Sequence, residues 1–255
     1  MVNWKRLIPS ALKELVWKIA CDQLHLKTKL RSGVPIKIAS FSDWCVYNDL
    51  FVEREYDPGI VHALANFHED SLVVVDLGAN VGFFTLRVLH LLAGRVDPPK
   101  RIFCLLVEGS PLLCRELKER FAWLQSDSIE IQLVTGLVGQ KQGQGQLSIH
   151  RSQNTNKVAS HDGSSGVMVE YVDLDPLLSR FGRIDLLKCD IEGSEKELIE
   201  NYPTLLKRTE TAMFEFHEPD CSGPDGAAAM QALGFSPLCA PLKLGGNEVW
   251  YFKRS

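Results

Sequence analysis

The feature that most constrains this chain is a short apolar segment followed by an acid and a glycine-rich turn. Residues 72–77 read L-V-V-V-D-L, and the turn after them reads G-A-N-V-G. Three consecutive valines favour a buried strand, and the largely apolar run from Phe83 to Leu92 favours a helix. In a doubly wound α/β sheet, ligands bind at the carboxyl ends of such strands. The segment therefore predicts an α/β fold with a ligand at this turn.

A second predicted strand also ends in an acid. The apolar run I-F-C-L-L-V at 102–107 is followed by Glu108, which lies 26 positions after Gly82. At about this spacing, dinucleotide-binding folds place the carboxylate that holds the ribose hydroxyls. We predict this role for Glu108, and an exposed acid without a ligand is the alternative. A third strand over 128–134 would place Gly136 beside the adenine.

Two residues of the turn distinguish between nucleoside cofactors. The dinucleotide fingerprint needs small residues where this chain has Asn80 and Phe83, because the backbone must approach a pyrophosphate. Asp76 adds a negative charge that can pair with an ammonium group but repels a phosphate. S-adenosylmethionine carries an amino acid and no phosphate, so it fits both features. The spacing of the glycines also does not match the P-loop pattern G-x-x-x-x-G-K-[ST].

Composition narrows the class of protein. A chain of 255 residues suits one α/β domain with an appendage. Its seven cysteines form no C-x-x-C pair, which indicates a reducing compartment without a disulfide framework. No apolar run approaches the length of a membrane span. We therefore expect a cytoplasmic protein.

The N-terminus differs in charge from the rest. Its first 31 residues carry seven Lys and Arg against two acids, in a chain whose net charge is −4. Apolar residues recur there at helical spacing, which predicts a basic amphipathic helix within an extension over residues 1–40. This helix would contact a membrane surface or an acidic partner, or pack on its own domain. The remaining chain is acidic, which argues against nucleic-acid binding.

The stretch 140–166 has the composition of a flexible segment. Gly, Gln and Ser supply 14 of its 27 residues. Such sequences bury too little apolar surface to order themselves, so we expect a flexible loop or hairpin. A loop that covers the substrate is the alternative.

A second informative segment ends the apolar strand that begins at Ile184. Lys188, Asp190 and Glu192 alternate there, so their side chains project from one face of the strand. Three ionisable groups are costly to bury unless they pair or carry a function. We interpret them as a functional cluster. The alternative is a Lys188–Asp190 ion pair that only stabilises the strand end.

Four segments together resemble the successive motifs of the FkbM-type methyltransferases: VVVDLGANVGFFTL, LLVEGSP, IDLLKCDIEGSEKEL and TAMFEFHEP. The resemblance implies a class I, S-adenosylmethionine-dependent methyltransferase domain over residues 41–255. Its sheet would be Rossmann-like, mostly parallel and seven-stranded, with an antiparallel C-terminal strand. Strands over 236–242 and 248–253 form a closing hairpin in this interpretation. The implied reaction is O-methylation of a sugar, glycan or polyketide-like natural product.

The resemblance also assigns roles around the cofactor. Four residues would hold its methionine portion: Asp76, Gly78, Asn80 and Gly82. Glu108 would bind the ribose, and the sulfonium would face the ring of Phe83 or Tyr56. A non-catalytic cofactor-binding module, which engages a membrane or partner through the N-terminal helix, is the alternative to an enzyme.

Two residues are candidates for the general base. His217 closes an apolar strand and titrates in the useful range; Asp190, oriented by Lys188, is the second candidate. Magnesium could bind Asp190, Glu192 or Glu215, but no tight carboxylate spacing demands a metal. We therefore expect methyl transfer without one.

Overall fold

The structure, a computed structural model, describes residues 26–148 and 166–255, together with Val16, residues 18–20 and Gln23. The predicted basic helix lies mostly outside these residues, and so do residues 149–165 of the predicted loop. Among the helices that the structure describes, none combines the length and apolarity that a membrane span requires.

Strands and helices alternate along most of the chain. The strands are β1 Leu26–Lys29, β2 Pro35–Ile38, β3 Ser71–Leu77, β4 Arg101–Glu108, β5 Ile129–Thr135, β6 Gln144–Ser148, β7 Gly166–Glu170, β8 Ile184–Cys189, β9 Thr209–Phe216, β10 Phe235–Pro237, β11 Leu242–Leu244 and β12 Asn247–Arg254. The helices are α1 Phe41–Tyr47, a π-helical segment Asn48–Glu53, α2 Asp57–Ala65, α3 Phe83–Leu92, α4 Pro111–Phe121, α5 Leu174–Leu178, α6 Glu195–Asn201, α7 Pro203–Lys207 and α8 Gly223–Ala232.

A central sheet organises these elements. Its strands follow the order β10–β12–β9–β8–β3–β4–β5, and β11 pairs with β12 beside this row. The five strands from β9 to β5 are parallel, whereas β12 runs antiparallel to β9. The strand order reverses between β3 and β8, and such a reversal is where α/β sheets bind ligands. The predicted Rossmann-like sheet, mostly parallel with an antiparallel C-terminal strand, is confirmed, but it has eight strands instead of the predicted seven.

Apolar cores cover both faces of the sheet. Val74 points into a core that includes Leu86 of α3, whereas Val75 points into a core that includes Leu198 of α6. Because β3 is buried on both faces, residues 72–75 form an unbroken apolar run rather than an alternating pattern.

The C-terminal hairpin differs from its predicted bounds. The single strand predicted over 236–242 is divided into β10 and β11, and both run antiparallel to β12. Proline has no N–H to donate to a strand ladder. Pro237 ends β10 and Pro241 precedes β11, so the chain leaves the sheet between them.

The carboxyl ends of β3 and β8 approach so closely that only glycine fits at position 78. A Cβ on Gly78 would lie 1.7 Å from the carbonyl oxygen of Asp190, and the φ of Gly78 is +71°. The backbone N–H of Asp190 donates to the carbonyl of Leu77 at 3.2 Å and holds the strand ends at this separation. The first glycine of the turn is therefore required by strand packing.

Gly78→Ala should destabilise the protein more than alanine at a matched glycine. Gly245→Ala is the control, because Gly245 has φ +62° and nothing within 4 Å of an added Cβ. The free energy of unfolding of the control should fall by only about 1–2 kcal/mol, because an alanine in the left-handed conformation is strained by this amount. Gly78→Ala must in addition displace the backbone of Asp190. Denaturant unfolding measures both free energies, and equal losses would contradict the close approach.

Candidate active site

Two cavities lie at the carboxyl edge of the parallel strands. The first, the turn cavity, has a wall of glycines, polar side chains and apolar side chains: Gly78, Asn80, Glu108, Gly136, Leu113, Leu137 and Leu147, among others. The second, the acidic cavity, has a volume of about 330 Å³ and contains five carboxylates: Asp49, Glu55, Asp190, Glu192 and Glu215. Asn80, Asp190 and Glu192 line both cavities, so the two spaces meet at these residues.

Glu108 is held in place at the wall of the turn cavity. Its Oε2 accepts the N–H of Asn80 and its Oε1 accepts the N–H of Ser110, both at 2.8 Å. Burial raises the pKa of Glu108, and these two N–H donors oppose that rise. Each carboxylate oxygen has two acceptor sites. Glu108 therefore keeps acceptor capacity for a ligand, which fits its predicted role at a ribose.

Gly136 lines the turn cavity, and glycine at this position is also required by packing. A Cβ there would lie 2.1 Å from the Cγ2 of Val172, which follows β7. The cavity volume of about 70 Å³ encloses only part of a nucleoside-sized ligand. The contact between Gly136 and an adenine stays a prediction.

Two other residues of the first motif lie away from both cavities in the described part of the chain. Asp76 is fully buried, and its Oδ2 accepts a hydrogen bond from the hydroxyl of Thr85 at 2.9 Å. A Cβ on Gly82 would meet Phe121 and Leu117 of α4. Asp76 and Gly82 therefore stabilise the turn through their contacts with α3 and α4. Contacts of these two residues with a cofactor stay predictions.

Lys188 connects the two strand ends. Its Nζ donates to the carbonyl oxygen of Gly78 at 2.9 Å and lies 3.1 Å from the Oδ2 of Asp190. The parallel register sets it beside Asp76, whose Oδ1 is 3.7 Å from the Nζ. Burial lowers the pKa of Lys188, but the charges of Asp190 and Asp76 outweigh that effect and the pKa is raised. Lys188 thus remains a cation and positions Asp190.

His217 is buried at the end of β9 and is oriented by one carboxylate. Its Nδ1 lies 3.0 Å from the Oε1 of Glu195, and the same oxygen accepts the backbone N–H groups of Ile191 and Gly193. Because that oxygen already accepts two amide protons, we assign the proton on Nδ1 to His217. The Nε2 of His217 therefore faces the acidic cavity.

Three further carboxylates surround the Nε2 of His217. The distances are 3.5 Å to Glu192, 3.6 Å to Glu215 and 3.8 Å to Asp190. Burial lowers the pKa of His217, but Glu195 and the neighbouring carboxylates raise it to about 9. The ring is therefore mostly cationic at neutral pH without a ligand, and it must lose that proton before it can act as a base.

The acidic cavity concentrates like charges. Burial and the nearby Asp49 and Glu215 raise the pKa of Glu55 to about 7. Burial raises the pKa of Glu215 most strongly, and the charge of Asp190 raises it further. The side chains of Tyr56 and Asn247 donate hydrogen bonds to Glu215 and fix its position. The cavity therefore presents mainly hydrogen-bond acceptors.

The two aromatic residues predicted beside the sulfonium both line the acidic cavity. The ring of Tyr56 lies 5.7 Å from the Nζ of Lys188. The ring of Phe83 lies 4.7 Å from the guanidinium carbon of Arg120 and packs edge-on against Phe51. Neither lines the turn cavity in the described structure. Their contact with the cofactor stays a prediction.

Sequence reasoning missed the role of Glu195. Glu195 is not among the residues predicted for the site, whereas the structure buries it completely against the Nδ1 of His217. The available signal was a third acid close behind Asp190 and Glu192, but its partner lies 22 residues away.

One family model matches this chain. Residues 76–236 match the methyltransferase FkbM domain, a span of more than half the chain that runs from Asp76 to beyond His217. No match was found among curated protein sequences.

Solved structures show a distant likeness. One is the magnesium protoporphyrin IX methyltransferase from Synechocystis PCC 6803 with bound SAM, at 13% identity over 97% of this chain and 100% of that chain, with a TM-score of 0.49. Another is a ribosomal protein L11 methylase from Lactobacillus delbrueckii subsp. bulgaricus, at 14% identity over 79% of each chain, with a TM-score of 0.43. Because the family model matches more than half of the chain, this chain belongs to the FkbM methyltransferase family, whose methyl donor is S-adenosylmethionine.

Proposed function

We propose that this methyltransferase transfers a methyl group to a hydroxyl of a sugar, glycan or polyketide-like small molecule. The observation that carries the proposal is the junction of the two cavities at Asn80, Asp190 and Glu192. A cofactor in the turn cavity and an acceptor in the acidic cavity would meet there. Carboxylates accept hydrogen bonds and cannot donate them when ionised, so the acidic cavity suits an acceptor rich in O–H groups.

The chemistry of the turn cavity suits the donor. Glu108 offers a fixed carboxylate to two vicinal hydroxyls, and the leucine side chains around it offer apolar surface to a base. Bound S-adenosylmethionine supplies an activated methyl group. The protein's own residues would align the acceptor oxygen and receive its proton.

Asp190 and His217 are the two groups that could receive the proton. Asp190 lies at the junction and is oriented by Lys188 at 3.1 Å. His217 lines only the acidic cavity. An alcohol is a weak acid, so in this proposal alignment of the acceptor contributes more than strong base catalysis.

Glu108→Gln should weaken the binding of S-adenosylmethionine by about 10- to 100-fold, because hydrogen bonds to a charged group contribute about 1.5–3 kcal/mol. Isothermal titration calorimetry measures this change. Glu170→Gln, which alters an exposed acid on β7, is the control and should bind as the native protein does. Unchanged affinity in Glu108→Gln would remove the ribose assignment.

His217→Asn should lower turnover by about 100-fold, the scale of lost general acid–base assistance. The asparagine amide can still donate to Glu195, whereas the nitrogen that faces the acidic cavity is removed. Affinity for S-adenosylmethionine should stay within about twofold, since His217 does not line the turn cavity in the described structure. His68→Asn, at an exposed histidine, is the control.

The assay follows release of S-adenosylhomocysteine with a panel of sugars, glycans and polyketides. Full turnover in His217→Asn would exclude His217 from the reaction. Cofactor binding without transfer to any hydroxylated acceptor in the panel would overturn the proposed function and favour a non-catalytic binding module.

A further inference from the structure

We propose that Asp190, Glu192 and His217 form a binding site for one divalent metal ion inside the acidic cavity. One ligand atom from each residue lies within 4.8 Å of the others. From the sequence we expected methyl transfer without a metal, because no tight carboxylate spacing demanded one. The three residues come from the β8 strand end and the end of β9, so their proximity exists only in the folded chain.

The orientation of His217 points to a metal independently of the acids. Its side chain is 98% buried, and its Nδ1 is anchored to Glu195, a fully buried carboxylate outside the cavity. Metal-bound histidines almost always donate their second N–H to a carboxylate, carbonyl or water in this way. The anchored ring can present only its Nε2 to the cavity. This nitrogen is the ring atom that approaches Asp190, Glu192 and Glu215.

The distances match a site that closes slightly around an ion. Two ligands with metal bonds of about 2.0–2.2 Å are separated by about 3.0 Å in octahedral and about 3.4 Å in tetrahedral geometry. The Nε2 of His217 lies 3.5 Å from Glu192 and 3.8 Å from Asp190. Both carboxylates are partly exposed, so small side-chain movements suffice to close the remaining gap.

Charge in the cavity also favours a cation. Five lining carboxylates face Lys188 and His217 as the only basic side chains of the described lining. A partly buried excess of negative charge is costly unless a cation compensates it. Glu215 lies 3.6 Å from the Nε2 of His217 and is held by Tyr56 and Asn247. Glu215 is thus placed to bind the ion or one of its waters.

The ligand set indicates the class of metal. One imidazole with two or three carboxylates suits Mn²⁺ or Zn²⁺, whereas Ca²⁺ prefers oxygen ligands alone. An ion here could bind the acceptor oxygen and lower the pKa of its hydroxyl, and the Nε2 of His217 would then hold the ion instead of receiving the proton. That role rests on the proposed function, whereas binding of the ion does not.

Mn²⁺ titration of the full chain, followed by electron paramagnetic resonance, tests the site without any acceptor. We expect one Mn²⁺ per chain. Pulsed measurements should show coupling to a directly bound ¹⁴N. Asp190→Asn and Glu192→Gln should each weaken Mn²⁺ binding by at least about tenfold. His217→Asn should abolish the ¹⁴N coupling while it preserves the donor to Glu195.

Glu55→Gln is the matched control, because it removes a carboxylate from the same cavity without removing a proposed ligand. Its affinity for Mn²⁺ should stay within about threefold of the native value, since a charge that is not a ligand acts only through a partly screened field. Circular dichroism confirms that each variant is folded.

Absence of stoichiometric Mn²⁺ binding by the native chain would overturn the inference, as would absence of ¹⁴N coupling. Equal weakening by Glu55→Gln and Glu192→Gln would also overturn it, because the cavity would then attract cations only through its net charge. Mn²⁺ binding without methyl transfer would instead contradict the proposed function alone.

Discussion

The buried ammonium group of Lys188 is the interaction on which the rest of the site depends. It donates to the carbonyl of Gly78 and pairs with Asp190 and Asp76. These contacts join the ends of β3 and β8, the two strands between which the sheet reverses its order. A buried cation is stable only when it is paired. Lys188 therefore fixes the glycine turn of one strand and the carboxylate of the other together.

The two cavities that meet at this junction differ in their chemistry. On one side, Glu108 is held by two backbone N–H groups among apolar side chains. On the other side, five carboxylates gather around His217. Asp190 belongs to both sides, because Lys188 holds its carboxylate where the cavities meet. We propose that the first side holds the methyl donor of this FkbM family member, and that the second side holds a hydroxylated acceptor or a metal ion.

The sequence predicted what depends on local pattern. The unbroken apolar run of β3, the glycine turn and the acid at the end of β4 are contiguous features, and each has the place expected for it. The sequence did not predict the partner of Asp76, which is set by the register between β3 and β8. Nor did it predict the bond between His217 and Glu195, because helix α6 packs beside β9 only after the chain has folded. Long-range pairing, rather than residue type, decides these contacts.

The measurement that tests this description most directly is a crystal structure with S-adenosylhomocysteine. We expect the ribose hydroxyls at the carboxylate of Glu108, the adenine beside Gly136, and the sulfur directed towards Asp190 at the junction of the cavities. A nucleoside bound away from Glu108 would contradict the assignment of the turn cavity. A sulfur directed away from the acidic cavity would contradict the claim that donor and acceptor meet at Asp190.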